Sequence, residues 1–281
     1  MMQPQTFYSV ANLVDHARSR ITDYETVTFD LFDTLLIRRI HDPDLVKLPV
    51  AHYIASLTVS HGIAKSWRTV QKTRDRIEQR QRLETGEKFA DHEACYPIFM
   101  EQTLEEIFGS LYSTQLLEDV TSYELEMESC MLVPRALFAA FLKELQELKK
   151  RVIIISDVYL PSAHLKILVE RAGLLELVED VVSSADTFLA KASGQAFPLL
   201  QDKFQIDIAT WLHIGDNPIS DGLRPAEYGI ASLVLKDSDE KFRKALIKRY
   251  QNYSRGRPFY RGRALQQLML PLEAENREHQ D

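Results

Sequence analysis

Asp30, Asp33 and Thr34 lie at the end of the apolar run Val27-Thr28-Phe29-Asp30-Leu31-Phe32-Asp33-Thr34-Leu35-Leu36. Two carboxylates and a hydroxyl delivered by a short strand stand where open α/β sheets build their sites. An aspartate held there can serve as nucleophile, as metal ligand, or as both. Three further groups of chemistry-bearing residues follow in order. Ser156 ends the run Val152-Ile153-Ile154-Ile155, with Asp157 beside it. Lys191 lies in Ser183-Ser184-Ala185-Asp186-Thr187-Phe188-Leu189-Ala190-Lys191-Ala192-Ser193-Gly194. The last group is His213-Ile214-Gly215-Asp216-Asn217-Pro218-Ile219-Ser220-Asp221.

These residue types suit phosphoryl transfer. Asp30 would attack phosphorus and carry an aspartyl-phosphate. The Ser156 hydroxyl and the Lys191 ammonium would hold the phosphate oxygens and offset charge in the transition state. Asp216 and Asp221 would join Asp30 around a Mg²⁺, which relieves the repulsion between carboxylate and phosphate. Gly215 would let the backbone turn sharply beside that metal. Plainer roles compete for some of these side chains. Asp33 can cap the turn after its strand, Asp157 can serve the Tyr159-Leu160-Pro161 turn, and Ser220 can cap the next helix. His213, in a buried-looking run, reads as a core histidine.

The elements that must position these groups are legible as five runs rich in β-branched and aromatic residues, at 26–30, 151–156, 179–183, 209–214 and 230–235. Their nearly continuous apolar character fits strands covered on both faces. Helical stretches separate the later runs, among them the stripe Leu137, Phe138, Phe141, Leu142, Leu145 and Leu148. Alternation of this kind predicts an α/β fold with a doubly wound parallel sheet. The interval 41–131 instead reads as consecutive helices at 45–59, 66–83, 96–108 and 115–131. A crossover needs only one helix, so an inserted α-helical cap is expected there. The core would span 20–40 and 132–240, and a basic, aromatic C-terminal helix or arm would span 241–281. The helix at 66–83 carries only the narrow stripe Trp67, Val70 and Ile77, and reads as solvated apart from one packed edge.

The ordered set of motifs resembles the haloacid dehalogenase (HAD)-like hydrolase superfamily, whose members are mostly Mg²⁺-dependent phosphatases. That resemblance implies Asp30 as nucleophile, Thr34 as the motif threonine, Ser156 as the second-motif hydroxyl and Lys191 as the motif lysine. It implies Asp216 with Asp221 as the acidic motif, and the backbone carbonyl of Phe32 among the metal's ligands. The cap interval falls where the superfamily places a helical cap. The wording Phe-Asp-x-Phe-Asp-Thr-Leu-Leu looks like a bacterial subgroup. One departure matters: the superfamily's phosphatases carry a second aspartate two residues after the nucleophile, which protonates the leaving group and then activates water. Here Phe32 takes that position and Asp33 follows it. Three readings result. The protein is a phosphohydrolase in which Asp33 or another acid such as Asp157 substitutes, a dehalogenase-like hydrolase whose halide leaves unprotonated, or a catalytically reduced domain that binds a ligand or partner. The halide reading has no use for Asp216 and Asp221.

Arg38 and Arg39 follow the first motif and could grip an anionic substrate bidentately, or form an exposed hinge pair. A helical lid points to a small phosphorylated substrate. The net charge is −7, yet 241–263 holds nine Lys or Arg and no acid, so the rest of the chain is strongly acidic. That balance argues against nucleic-acid binding by the body of the protein. The basic, aromatic stretch 241–263 would pack on the acidic core, or contact a partner or an anionic membrane surface. No apolar run approaches the ~20 residues of a membrane span. The first residues lack a signal-cleavage pattern. Cys95 and Cys130 show no metal or redox spacing. A cytoplasmic setting is expected.

Overall fold

Valine, isoleucine and aromatic side chains on both sides of a strand need cover on both faces, and the chain provides it. A computed structural model describes residues 3–254. Its strands are β1 (Gln5–Phe7), β2 (Thr26–Asp30), β3 (Leu36–Arg38), β4 (Leu132–Pro134), β5 (Arg151–Ser156), β6 (Asp180–Ser183), β7 (Trp211–Gly215) and β8 (Ala231–Leu235). All residues of β2 and β7 are buried. Six strands form one sheet in the order β1-β8-β7-β2-β5-β6. The pairs β1–β8, β8–β7, β7–β2 and β5–β6 are parallel. The fold is therefore α/β with a parallel sheet and helices between its strands, as the alternation predicted.

Five of the six sheet strands coincide with the predicted runs. The fourth starts later than expected, because Asp207 accepts from the Ala209 N–H and folds Ile208–Thr210 into a 3-10 turn before Trp211. The edge strand β1 and the antiparallel pair β3–β4 were not anticipated. Each is three residues long, too short for a periodicity signal.

The chain divides into two compact units, Met1–Pro43 with Leu132–Val152 and Ile206–Asp281, and Asp44–Met131 with Ile153–Gln205. In the first unit the helix Ala136–Glu147 lays Phe138 and Phe141 edge-on against Phe29 of β2, with ring centroids 6.0 and 6.3 Å apart. Burying side chains of this size contributes roughly 2 kcal/mol each. Those contacts fix the strand that ends in Asp30. The helix Ser238–Ser254 covers the start of the basic C-terminal region. The remainder of 241–281, including the aromatic and basic residues from 255 to 263, lies outside the described residues.

In the second unit the helices of 44–131 share a compact body with 153–205. The helix Trp67–Lys88 is packed along one edge, as its sequence reading had it, but that edge is wider and more polar than the apolar stripe. Besides Val70 and Ile77 it buries Arg74, Glu78, Gln81 and Thr85. Arg74 makes a bidentate pair with Glu124, at 2.9 and 2.5 Å, and both side chains are 1% exposed. Burial opposes ionisation of Glu78, but Lys47 and Arg82 overcome it and hold its carboxyl below the usual range. Part of the polarity in that helix therefore belongs to a paired, buried edge, and the rest to a solvated face. Among the described residues, no helix is long and apolar enough to cross a membrane.

Candidate active site

At the carboxyl end of β2 the chain turns back on itself within a few residues. The Leu36 N–H donates to the Leu31 carbonyl at 2.9 Å, and the Asp33 N–H donates to the Leu36 carbonyl at 2.7 Å. Asp30 is 8% exposed, and its Oδ2 accepts the hydroxyl of Thr34 at 2.9 Å. Leu31 and Leu35 are buried beside the turn and anchor it. The turn thus holds one carboxylate in a defined direction while shielding it from bulk water.

The parallel neighbour β7 brings the second acidic group. Asp30, Asp216 and Asp221 each offer one oxygen, and these atoms lie within 4.8 Å of one another. At an effective dielectric of ~20, like charges at such spacing repel by on the order of 3 kcal/mol per pair. A hard divalent cation with oxygen ligands removes that repulsion, so the donor set fits Mg²⁺.

Local geometry beyond the acids explains the motif around them. A Cβ added to Gly215 would lie 2.2–2.4 Å from the side-chain atoms of Asp221. Gly215 is not among the positive-φ glycines. Close approach, not a special turn, therefore demands glycine there, which corrects the sequence expectation. The cap of the following helical turn is Asn217, whose Oδ1 accepts the N–H groups of Ile219 and Ser220, so Ser220 is not the cap. The Asn217 N–H donates to Asp221 Oδ2 at 2.9 Å.

His213 is the core histidine the sequence suggested, and it also holds Asp221. It is fully buried, with Nε2 3.1 Å from Asp221 Oδ1 and Nδ1 2.8 Å from Thr28 Oγ1. The Trp211 indole, a donor only, gives its N–H to Thr28 Oγ1 at 2.9 Å. Thr28 can then direct its own proton to His213 Nδ1, which leaves the Nε2–H to donate to Asp221. Asp221 Oδ1 is thereby oriented by a buried donor, and its Oδ2 by the Asn217 N–H. The signal was present in the sequence only as alternation along β7, which puts residues 211 and 213 on one face.

Phe32 and Asp33 take separate paths. The Arg38 guanidinium lies 4.0 Å from the centroid of the Phe32 ring, and Arg38 is 8% exposed. It is a buried stacking partner, not an exposed hinge cation. Asp33 has a left-handed backbone, φ 63°, which aspartate tolerates better than most residues. Its Oδ1 accepts from Lys244 Nζ at 2.6 Å, and its carbonyl accepts from Arg135 Nη2 at 3.2 Å. Asp33 therefore faces the C-terminal helix Ser238–Ser254. The Arg243 guanidinium of that helix donates to the Arg38 carbonyl.

The second unit gathers the remaining predicted residues around its own loops. Asp157 accepts the N–H groups of Lys191 and Ala192, at 3.0 and 3.1 Å, and so shapes the loop that carries Lys191. Lys191 is 2% exposed and Ser156 1%. Asp91 supports the same loop by accepting from the Ala190 N–H and the Ser193 hydroxyl. Glu93 accepts from Ser184 Oγ at 2.7 Å, and Ser184 Oγ accepts from the Val158 N–H. Burial pushes the Glu93 carboxyl up and the charge of Asp157 adds to this, while the Ser184 hydrogen bond opposes it. Asp91 and Glu93 escaped sequence reasoning, because two acids in a helix-to-helix connection carry no distinctive spacing.

The sequence pattern of haloacid dehalogenase-like hydrolases matches residues 24–222. No curated protein matches the chain. A 2-haloacid dehalogenase from Pseudomonas syringae pv. Tomato DC3000 is similar in structure, with a TM-score of 0.53, at 16% identity over 74% of this chain and 84% of that one. A HAD family enzyme from Bacteroides thetaiotaomicron gives a TM-score of 0.49, at 16% identity over 76% of this chain and 95% of that one. The L-2-haloacid dehalogenase from Xanthobacter autotrophicus gives 0.45, at 16% identity over 74% and 75%. At these identities structural likeness speaks for the fold alone. The sequence match spans most of the chain, including the strand end with Asp30 and the turn with Asp221, and by it the chain belongs to the haloacid dehalogenase-like hydrolases.

Proposed function

We propose that this hydrolase is a divalent-metal-dependent phosphohydrolase acting on a small phosphorylated molecule. The observation that carries the reading is the close set of Asp30, Asp216 and Asp221, two of them buried. Displacement of a halide by a carboxylate has no use for such a set. In the proposed reaction the Asp30 carboxylate attacks phosphorus and the ester P–O bond breaks. The phosphoryl group then rests on Asp30 until water releases it and restores the carboxylate. The Thr34 hydroxyl, donating to Asp30 Oδ2, fixes the direction of attack. Mg²⁺, when bound, supplies charge neutralisation between carboxylate and phosphate. Asp30, Asp216, Asp221 and the Phe32 carbonyl would hold it, with His213 keeping Asp221 in place. Ser156 and Lys191 are assigned to the phosphate oxygens.

A second reading has its own support. With Phe32 stacked on Arg38 and Asp33 tied to Lys244, residues 32 and 33 offer the leaving oxygen no free acid. That favours slow turnover, or a domain kept for binding. Phosphate release from a panel of esters, with and without Mg²⁺, tests both. The native protein is expected to be Mg²⁺-dependent and Asp30→Asn to fall to background. Equal inactivity of the two with every metal tried would sink the phosphohydrolase reading. Where the acid is the missing part, Phe32→Asp gains about 10²–10⁴-fold, the usual worth of general acid catalysis.

A further inference from the structure

Beside the carboxylate set, the first unit holds a pocket of about 520 Å³ at the carboxyl ends of β1 and β8. That is within the ~300–1,000 Å³ range of small-molecule sites. Asp216 lines it, so the pocket opens next to one of the three carboxylates. Tyr8, Asp33, Lys236, Lys241 and Lys244 are among the other walls. The first residues of the C-terminal helix close one side.

The lining holds four acids and four bases, but they are paired unevenly, and Asp216 belongs to the carboxylate set. Three acids of the lining are neutralised within the wall or just behind it. Asp33 pairs with Lys244 at 2.6 Å, Asp237 with Arg135 at 2.6 Å, and Glu240 with Arg243 at 2.6 Å. Asp237 also caps the helix, accepting from the N–H groups of Asp239 and Glu240. Two cations remain. Lys236 and Lys241 are exposed, and among the described residues neither ammonium has an acidic partner. The pocket therefore joins a carboxylate set suited to a metal and a phosphoryl group at one end to two uncompensated ammonium groups on its rim.

We propose that this pocket is a subsite for a second anionic group on the substrate, a carboxylate or another phosphoryl group, held by Lys236 and Lys241. The substrate is then a small phosphate ester whose far end is also negatively charged. This rests on the reading that the phosphoryl group being cleaved sits at the carboxylate set. Lys244, neutralised by Asp33, is not counted among these contacts.

Binding of three phosphonates to the full chain in the presence of Mg²⁺, followed by calorimetry, tests the proposal. Propylphosphonate presents one anion, phosphonobutyrate adds a carboxylate, and propylene bisphosphonate adds a second phosphonate. At least one bifunctional probe is expected to bind about tenfold more tightly than propylphosphonate, the scale two exposed charge pairs can supply together. Which of the two gains more identifies the second anion. In the Lys236→Ala/Lys241→Ala variant the preference should shrink to within about twofold while propylphosphonate binds as before. Both side chains are exposed, so the variant keeps its packing. Equal binding of all three probes by the native chain overturns the subsite. So does absence of binding, or a preference that survives loss of both lysines. The probes report occupancy rather than cleavage, so a protein that fails to hydrolyse esters still answers this question.

Discussion

A single peptide unit separates Phe32 from Asp33, and it sends the two side chains to different partners. The ring of residue 32 receives the Arg38 guanidinium, while residue 33 enters the left-handed region and reaches Lys244. Residue identity at 33 was legible in the sequence, but its direction was not. Direction depends on a turn closed by the Leu36 carbonyl and on a lysine more than two hundred residues away. The reverse holds for Asp30 and Asp216, whose approach follows from neighbouring strand ends, while Asp221 reaches them from the turn after β7. His213 lies between these cases. Its type and position were plain, yet its bond to Asp221 needed the fold. Replacing it with alanine is expected to weaken Mg²⁺ binding about 10–100-fold, because outer-shell donors orient metal ligands. A metal titration of His213→Ala against the native chain measures this, and unchanged affinity would show that the Asn217 N–H alone suffices to hold Asp221.

Among the elements, the helix Trp67–Lys88 shows where pattern reading stops. Charged residues at helical spacing look solvated until a partner helix brings its own charges, as Glu124 does for Arg74. The central strands were read from sequence because burial on both faces leaves continuous apolar runs, whereas β3 and β4 are defined only by each other. Removing one member of the buried pair, as in Glu124→Ala, should destabilise the protein by about 3–5 kcal/mol, with the second change Arg74→Met recovering much of it. Denaturant unfolding of the single and double variants reads both values. A milder effect comes from Glu93. Its carboxyl is raised in the folded state, so folding favours the protonated form. The stability this supplies is complete below the unfolded value of about 4.3 and is lost as pH climbs through the raised folded value. Glu93→Gln cannot ionise and keeps an oxygen for Ser184. Its thermal midpoint relative to the native chain should therefore rise between about pH 4 and pH 7. A flat difference across that range would refute the assignment.

At the scale of the whole molecule, the carboxylate set couples metal to stability. A cation that binds only the folded chain adds about 2.7 kcal/mol at a hundredfold excess over its Kd, or several degrees in Tm. Mg²⁺ should give that shift in the native protein and not in Asp221→Asn. Without metal, Asp216→Asn should melt higher than the native chain, because its repulsions with Asp30 and Asp221 are gone. Differential scanning with and without Mg²⁺ separates the two effects, and a native chain indifferent to the ion would mean that the three oxygens gather for structural reasons.

One modest element has consequences of a different kind. The strand β1 is three residues long, yet it pairs with β8 from Gln5 to Phe7, and the Phe7 carbonyl accepts the Lys236 N–H at 2.7 Å. Those few residues cover the hydrogen-bonding edge of the mostly apolar, five-residue strand β8. Trimming the chain to begin at Ser9 would uncover a row of unpaired amides and carbonyls on β8, ready to recruit a strand from another molecule. For anyone preparing the protein, the expected symptom of such trimming is concentration-dependent self-association.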